Sequence, residues 1–338
     1  MIFFRIDVGH KQGLGHYTRI KALIKYLNLK KYKIVIDKNT NISFFKKESK
    51  NIISLYKKNN HFINELEDAK LFIKLIKKKY NRSIVIKDSY RLGYTWEKHI
   101  YKYCKKIISI SDLLDKKNFV DIYINHNPCF SSYNEKLLKK IKNNNKKNCI
   151  FLLGPKYALF NSSYDKKKII SDFVFYNGAS GDLLVYDNII KKLCNYKKKI
   201  FKIVLIIGPF MKNKKIIYNK FKKYKNIKIF YEPKNILNLL NGTKLFISSS
   251  GISMFESAFL KIPTLLFKMN NNQNLSDIDY EKIGHYFNLD KKDLKSPNKI
   301  SNLATLMIKN RSQLKKVMSK SIINTSSIKK NFQKNIKF

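Results

Sequence analysis

Short apolar runs alternate along the chain with stretches whose apolar residues recur every three or four positions. In the first half, Ile2–Ile6, Lys33–Ile36, Ser83–Lys87, Lys106–Ser109 and Ile122–Asn125 read as strands, with amphipathic helices over Thr18–Leu27 and Asn64–Lys78 between them. Strand and helix in alternation predict a parallel sheet covered on both faces. The Asn- and Lys-rich segment Lys140–Asn148 breaks this rhythm and fits a loop or a helix end. Gly154–Leu159 and the polar Asn161–Lys168 read as a connection between two halves.

A second series follows. Strands are expected at Asp172–Tyr176, Phe201–Ile207, Ile227–Tyr231 and Leu245–Ser248, with Pro263–Phe267 as the final one. Helices are expected over Leu183–Cys194, Ile236–Leu240 and Met254–Leu260, and the chain reads as helical and strongly basic from about Lys291. Two consecutive series predict an α/β protein of two doubly wound, Rossmann-like domains facing each other across a cleft. Their bounds are placed at 1–158 and 169–290, with a basic helical tail over 291–338. That tail either returns as a helix onto the first domain or ends in solvent. Ligands of such sheets bind at the carboxyl ends of the strands.

Composition changes this picture less than its size suggests. The 338 residues carry a formal charge of +47, which ordinarily points to nucleic acid or an anionic surface. Only five of the 70 basic residues are arginine (Arg5, Arg19, Arg82, Arg91 and Arg311), and the lysines run through the whole chain. Readers of nucleic acid concentrate arginine for bidentate contacts. A lysine-rich solvated surface, with weak salt-sensitive attraction to polyanions, accounts for the charge, and no specific nucleic-acid partner is expected. Cys104, Cys129, Cys149 and Cys194 lack CxxC spacing and histidine partners, so buried thiols in a reducing compartment are expected. Arg5 and Asp7 interrupt the N-terminal apolar run, and no window nears the length of a membrane span. The expectation is a cytoplasmic monomer with no membrane insertion.

Three glycine- or serine-bearing loops follow strands. The first holds Gly13, Gly15 and His16, followed by Arg19; it lacks the third glycine of a dinucleotide fingerprint and the lysine of a Walker loop. Its glycines let a ligand approach the main chain, the helix start offers unpaired N–H groups, and a histidine there can move a proton near neutral pH. A tight turn with a histidine cap is the structural alternative. The second loop, Ser249, Ser250, Gly251 and Ser253, can hold a pyrophosphate on backbone N–H groups and hydroxyls. Glu256, one turn on, can accept hydrogen bonds from ribose hydroxyls or simply complement the helix dipole. The third loop, Asn177–Asp182 with Gly178, again ends a strand, and three such loops favour a phosphorylated or nucleotide ligand.

The run of Arg5 and Asp7, then Gly13, Gly15, His16 and Arg19, resembles the N-terminal signature of the UDP-2,4-diacetamido-2,4,6-trideoxy-β-L-altropyranose hydrolases of pseudaminic acid biosynthesis, grouped with spore-coat polysaccharide glycosyltransferase-like proteins. Shorter matches continue at Asp88-Ser89-Tyr90, Ser111-Asp112, Asn125-His126-Asn127, Gly154 with Tyr157–Leu159, Gly178, Asp182, Glu256 and Asn272-Gln273, so that residues 1 to 285 are spanned. The resemblance implies a GT-B-like fold and metal-independent hydrolysis of a UDP-sugar, with no cofactor and with His16 as the base for the attacking water. Asp7 and Asp88, at strand ends, orient His16 or bind sugar hydroxyls and amides, or else serve turns and caps. Tyr90, Asn125, Asn177, Gly178, Asn272 and Gln273 join the substrate-binding candidates. The chain departs from the family at Val8-Gly9-His10 and at Asn177–Asp182, which bears on the sugar more than on the nucleotide. His10 is expected at the surface, His61, His99 and His285 have no chemical neighbours, and His126 is placed in the cleft lining. The alternatives are a GT-B glycosyltransferase, in which an acceptor hydroxyl replaces water, and a polyanion-binding protein.

Overall fold

Two parallel sheets organise the chain in a computed structural model that describes residues 1–9, 13–37, 50–56, 64–79, 82–114, 116–130, 135–165, 168–269, 283, 286–318 and 323–337. The chain divides into one unit of Met1–Leu159 with Ser327–Phe338 and a second of Phe160–Ser326. The first contains β1 (Ile2–Ile6), α1 (Gly15–Tyr26), β2 (Tyr32–Ile36), β3 (Ile52–Ser54), α2 (Glu65–Lys79), β4 (Ser83–Asp88), α3 (Tyr94–Tyr101), β5 (Cys104–Ile110), β6 (Ile122–Asn125), α4 (Glu135–Asn143) and β7 (Ile150–Leu153). Its strands are all parallel in the order β3-β2-β1-β4-β5-β6-β7. Every residue of β1 and β4 is buried, as expected of central strands covered on both faces. On one face Phe3 meets Phe72 of α2 edge-on at 6.1 Å, and Phe72 in turn meets Trp96 of α3 at 5.3 Å.

The second unit contains β8 (Ser171–Tyr176), α5 (Asp187–Cys194), β9 (Ile203–Ile207), α6 (Lys214–Phe221), β10 (Ile227–Tyr231), α7 (Leu237–Leu240), β11 (Thr243–Ser249), α8 (Ser253–Phe259), β12 (Thr264–Lys268), β13 (Tyr286–Asp290), α9 (Pro297–Lys309) and α10 (Arg311–Met318). Its parallel order is β10-β9-β8-β11-β12-β13. Alternate residues of β8 serve opposite faces: Phe173 and Phe175 pack with Ile300, Ala304 and Met307 of α9, and Val174 packs with Leu239, Leu240 and Phe246. The last helix, α11 (Thr325–Asn335), belongs to the first unit from Ser327 onward. There Phe332 stacks on Tyr26 at 6.0 Å and meets Tyr157 edge-on at 5.5 Å.

In each sheet the strand order reverses once, between β1 and β4 and between β8 and β11. A crevice opens at the carboxyl ends of strands at such a switch point, which is where open α/β sheets bind ligands. Ile6 is in register with Asp88, and Tyr176 with Ser248, so the segments that follow these four strands define the two switch points.

Pro263–Phe267 is not the final strand, because β13 adds an edge beyond it. The stretch expected as one helix over Leu183–Cys194 is a 3-10 turn, Leu183–Tyr186, followed by α5. Asp182 initiates it by accepting from the backbone N–H of Leu184 at 2.9 Å. Lys140–Asn148 includes the end of α4 at Asn143.

Candidate functional site

The site in the first unit begins where β1 runs out. Two backbone hydrogen bonds, 3.3 and 2.7 Å, join Gly9 and Gly13. Gly13 has φ +69°, a left-handed conformation in which a Cβ would be strained. Gly15 then opens α1, whose N-cap residue Leu14 makes no side-chain capping hydrogen bond. His10 lies outside the described residues.

One turn of α1 presents His16 and Arg19 to the ends of β4 and β5. His16 Nδ1 lies 2.5 Å from Asp88 Oδ1. Arg19 grips the same carboxylate with two donors, Nε to Oδ2 at 2.8 Å and Nη2 to Oδ1 at 2.5 Å, and its Nη1 bonds Asp112. The Tyr90 hydroxyl donates to Asp112 at 2.7 Å, and its ring meets the His16 ring edge-on at 4.7 Å. His16, Arg19 and Asp88 are each no more than 2% exposed. Burial by itself would raise Asp88, but Arg19 and His16 hold it below the usual carboxylate value. Burial would likewise raise Asp112, and Arg19 with His126 holds it well below that range.

The ionised Asp88 favours one histidine tautomer. An ionised carboxylate oxygen 2.5 Å from Nδ1 requires the proton to sit on Nδ1, since two lone pairs at that distance repel. Arg19 Nη2, which carries two hydrogens, donates to Asp88 Oδ1 and also lies within hydrogen-bond reach of the same ring nitrogen, at 2.8 Å, where it competes with the carboxylate. Nε2 keeps its lone pair in the neutral ring and has no partner among the described residues. A carboxylate on one ring nitrogen and an open lone pair on the other is the arrangement of an oriented general base.

His126 lies behind this group, its Nε2 3.5 Å from Asp112 Oδ1, and accepts from the N–H of Leu159 through Nδ1 at 3.4 Å. Burial pushes His126 down to about 4, so it is neutral at pH 7. Asn125 is buried and turned inward, accepting from the N–H of Asn127 at 3.0 Å. Asp7 joins a different cluster, and no hydrogen bond links it to His16 among the described residues. It accepts from the Ser89 hydroxyl and lies 3.3 Å from Arg5 and 3.5 Å from Arg91. Both arginines also bond Asp68 of α2, which further accepts from Tyr56 at 2.5 Å and Trp96 at 2.8 Å. Burial opposes the charge on Asp68, yet the guanidiniums take it down to about 2.

In the second unit Asn177 follows β8 and donates to the Asp182 carbonyl at 2.8 Å, closing the third loop on itself. A Cβ on Gly181 would stand 1.9 Å from the Asn177 carbonyl oxygen, so this turn admits only glycine there. In contrast, a Cβ on Gly178 or Gly251 would meet nothing within 4 Å, which leaves open space before both backbones. Ser249 ends β11, Ser250 and Gly251 form the turn, and Ser253 begins α8 with its hydroxyl 3.3 Å from that of Ser248. Glu256 is 5% exposed, and its carboxyl makes no hydrogen bond or ion pair among the described residues. Burial pushes its carboxyl up to about 8. Asn272 and Gln273 lie outside the described residues.

Sequence patterns pointed to His16, Arg19, Asp88 and Tyr90, and the fold brings these four together. Asp112, which completes the cluster, was named only within the short Ser111-Asp112 match and was given no role. The available signal was positional: Asp112 and His126 follow β5 and β6 as Asp88 ends β4, in three neighbouring strands.

No protein-family model matches the chain. Among curated proteins, the uncharacterized protein MJ1062 of Methanocaldococcus jannaschii is 25% identical over 290 residues, 82% of this chain. The match takes in 57% of that relative's own length. Among solved structures, Acinetobacter baumannii MurG is similar at TM-score 0.61 and 11% identity, over 98% of this chain and 99% of that one. The spinosyn forosaminyltransferase SpnP is similar at TM-score 0.59 and 9% identity, over 98% of each chain. Anabaena HepE, solved in complex with UDP-glucose, is similar at TM-score 0.60 and 8% identity, over 99% of this chain and 98% of that one. Identities this low speak for fold alone. Together with the two doubly wound parallel sheets, they define the class: this chain has the GT-B fold.

Proposed function

We propose that this chain is a UDP-sugar-dependent enzyme in which His16 is the general base. The observation that carries the proposal is the His16–Asp88 pair, 2.5 Å apart at the switch point of the first sheet, with Nε2 unpartnered among the described residues. Displacing UDP from an anomeric carbon needs an oxygen nucleophile relieved of its proton as it attacks. Asp88 stabilises the imidazolium that forms, and the sheet fixes the geometry. The open backbone at Gly178 and Gly251, and the unpaired Glu256 carboxyl, support the nucleotide role of Ser249, Ser250, Ser253 and Glu256. HepE, of the same fold, was solved with UDP-glucose. Asn272 and Gln273 are retained as sugar- or phosphate-binding candidates.

Two nucleophiles fit this base. The N-terminal signature supports water, and thus hydrolysis of a UDP-linked 2,4-diacetamido-2,4,6-trideoxy sugar. The likeness to a forosaminyltransferase supports an acceptor hydroxyl, and thus glycosyl transfer. A third function, polyanion binding, draws no support from Arg5, Arg19 and Arg91, which are engaged in internal ion pairs. Incubation with the UDP-sugar alone separates the first two. UDP release without acceptor, insensitive to EDTA and reduced roughly 10²–10⁴-fold in His16→Asn, supports hydrolysis. Release that requires an added acceptor supports transfer. Wild-type rates retained by His16→Asn would remove the base assignment in either case.

A further inference from the structure

The cluster around His16 contains one carboxylate more than a histidine–aspartate pair requires. Arg19 is shared between Asp88 and Asp112, which stand at the ends of neighbouring strands and do not touch His16 in the same way. Asp112 Oδ2 takes the Arg19 Nη1 donor and the Tyr90 hydroxyl, while Oδ1 has no hydrogen-bond partner and faces His126. The groups around the His16 ring are therefore Arg19 on its own helix, Asp88 and Tyr90 from β4 and the loop after it, and, behind them, Asp112 and His126 from the ends of β5 and β6. Lys116 bonds the Tyr90 carbonyl at the margin. With Tyr90 and His126 neutral, one cation stands against two carboxylates among the described residues of this group, which carry one unbalanced negative charge until His16 is protonated.

We propose that Asp112 is a positioning residue for His16. Through Arg19 it fixes the Asp88 carboxylate against Nδ1, and with Asp88 it leaves the cluster one positive charge short. Without Asp112, the guanidinium has a free arm, and its Nη2, already within hydrogen-bond reach of Nδ1 at 2.8 Å, wins the competition with Asp88 for the ring nitrogen. That moves the ring proton to Nε2 and blocks the lone pair. The inference rests on His16 acting as base, but its first readout does not need a substrate.

The test is the imidazole tautomer of His16, read by two-bond ¹H–¹⁵N correlation in the full chain and assigned by the signal lost in His16→Asn. The wild type is expected to carry the Nδ1 proton, and Asp112→Asn to show the second tautomer. In UDP release, Asp112→Asn is expected to lower kcat about 10- to 100-fold with KM within about twofold, and to move the acid limb of kcat/KM to lower pH because a negative charge has gone. Asp112→Glu keeps the charge but displaces it by one methylene. It is expected to lower kcat and populate the second tautomer with the acid limb unmoved, and it gives the comparison if the Asn variant does not fold. An unchanged tautomer and unchanged kcat in either folded variant overturn the proposal. Loss of the Nδ1 tautomer in Asp112→Asn, in a protein that releases no UDP, would count against the UDP-sugar reading and for the link between Asp112 and His16.

Discussion

Glu256 adds to the pH dependence of the fold a contribution that one substitution removes. Its carboxyl is buried in α8 without hydrogen bond or counter-charge among the described residues, and burial raises it from 4.5 to about 8. Below about pH 4.5 the group is protonated in both folded and unfolded chains and has no effect. Between 4.5 and 8 the unfolded chain ionises while the folded one does not, so stability declines as pH rises. Above 8 both are ionised, and the full penalty, on the order of a few kcal/mol, is present. Glu256→Gln removes it. We expect the variant to melt with the wild type near pH 4.5 and above it at pH 9, and a melting difference that stays flat across this range would remove the argument. Residues at this scale were legible where a loop had a chemical signature, as at His16 and Glu256. The role of Asp112 was not, although Ser111-Asp112 was among the short matches, because an aspartate after a strand looks the same whether it caps a turn or anchors a guanidinium.

At the scale of elements, the strands that escaped the sequence pattern share one property. β3, β7 and β13 lie at sheet edges and are only partly buried, whereas the central β1, β4, β8 and β11 were read directly. A central strand must be apolar on both faces and so writes a continuous run; β3 and β7 are only three and four residues long, too short to write one, and β13 mixes asparagine and aspartate with its apolar residues. Burial explains Arg5 in the same terms. It interrupts an apolar run in the sequence, yet in β1 it is fully buried and paired with Asp68 of α2. The last helix, α11, depends on a single large anchor. Phe332, fully buried between Tyr26 and Tyr157, is expected to cost about 3–5 kcal/mol when replaced by alanine. Urea unfolding of Phe332→Ala measures this, and limited proteolysis should then cut the C-terminal segment first. A midpoint equal to the wild type would mean that the aromatic contacts contribute little.

For the molecule as a whole, the charge of +47 and the buried arginines lead to a definite expectation. Attraction to DNA should be lysine-borne, indifferent to sequence, and weakened at least about a hundredfold between 50 and 200 mM salt. Filter binding across that range checks it, and salt-resistant binding would show a built nucleic-acid site. No helix among the described residues is long and apolar enough to cross a membrane. The first unit is built from both ends of the chain, since α11 packs on Tyr26 and Tyr157 from beyond residue 326. On the ribosome these two tyrosines emerge long before Phe332 is made. At typical translation speeds of roughly 5–20 residues per second, the groove that receives Phe332 stays uncovered for about ten to thirty seconds while the whole second unit is synthesised. The second unit is thus complete in each nascent chain before the first one closes.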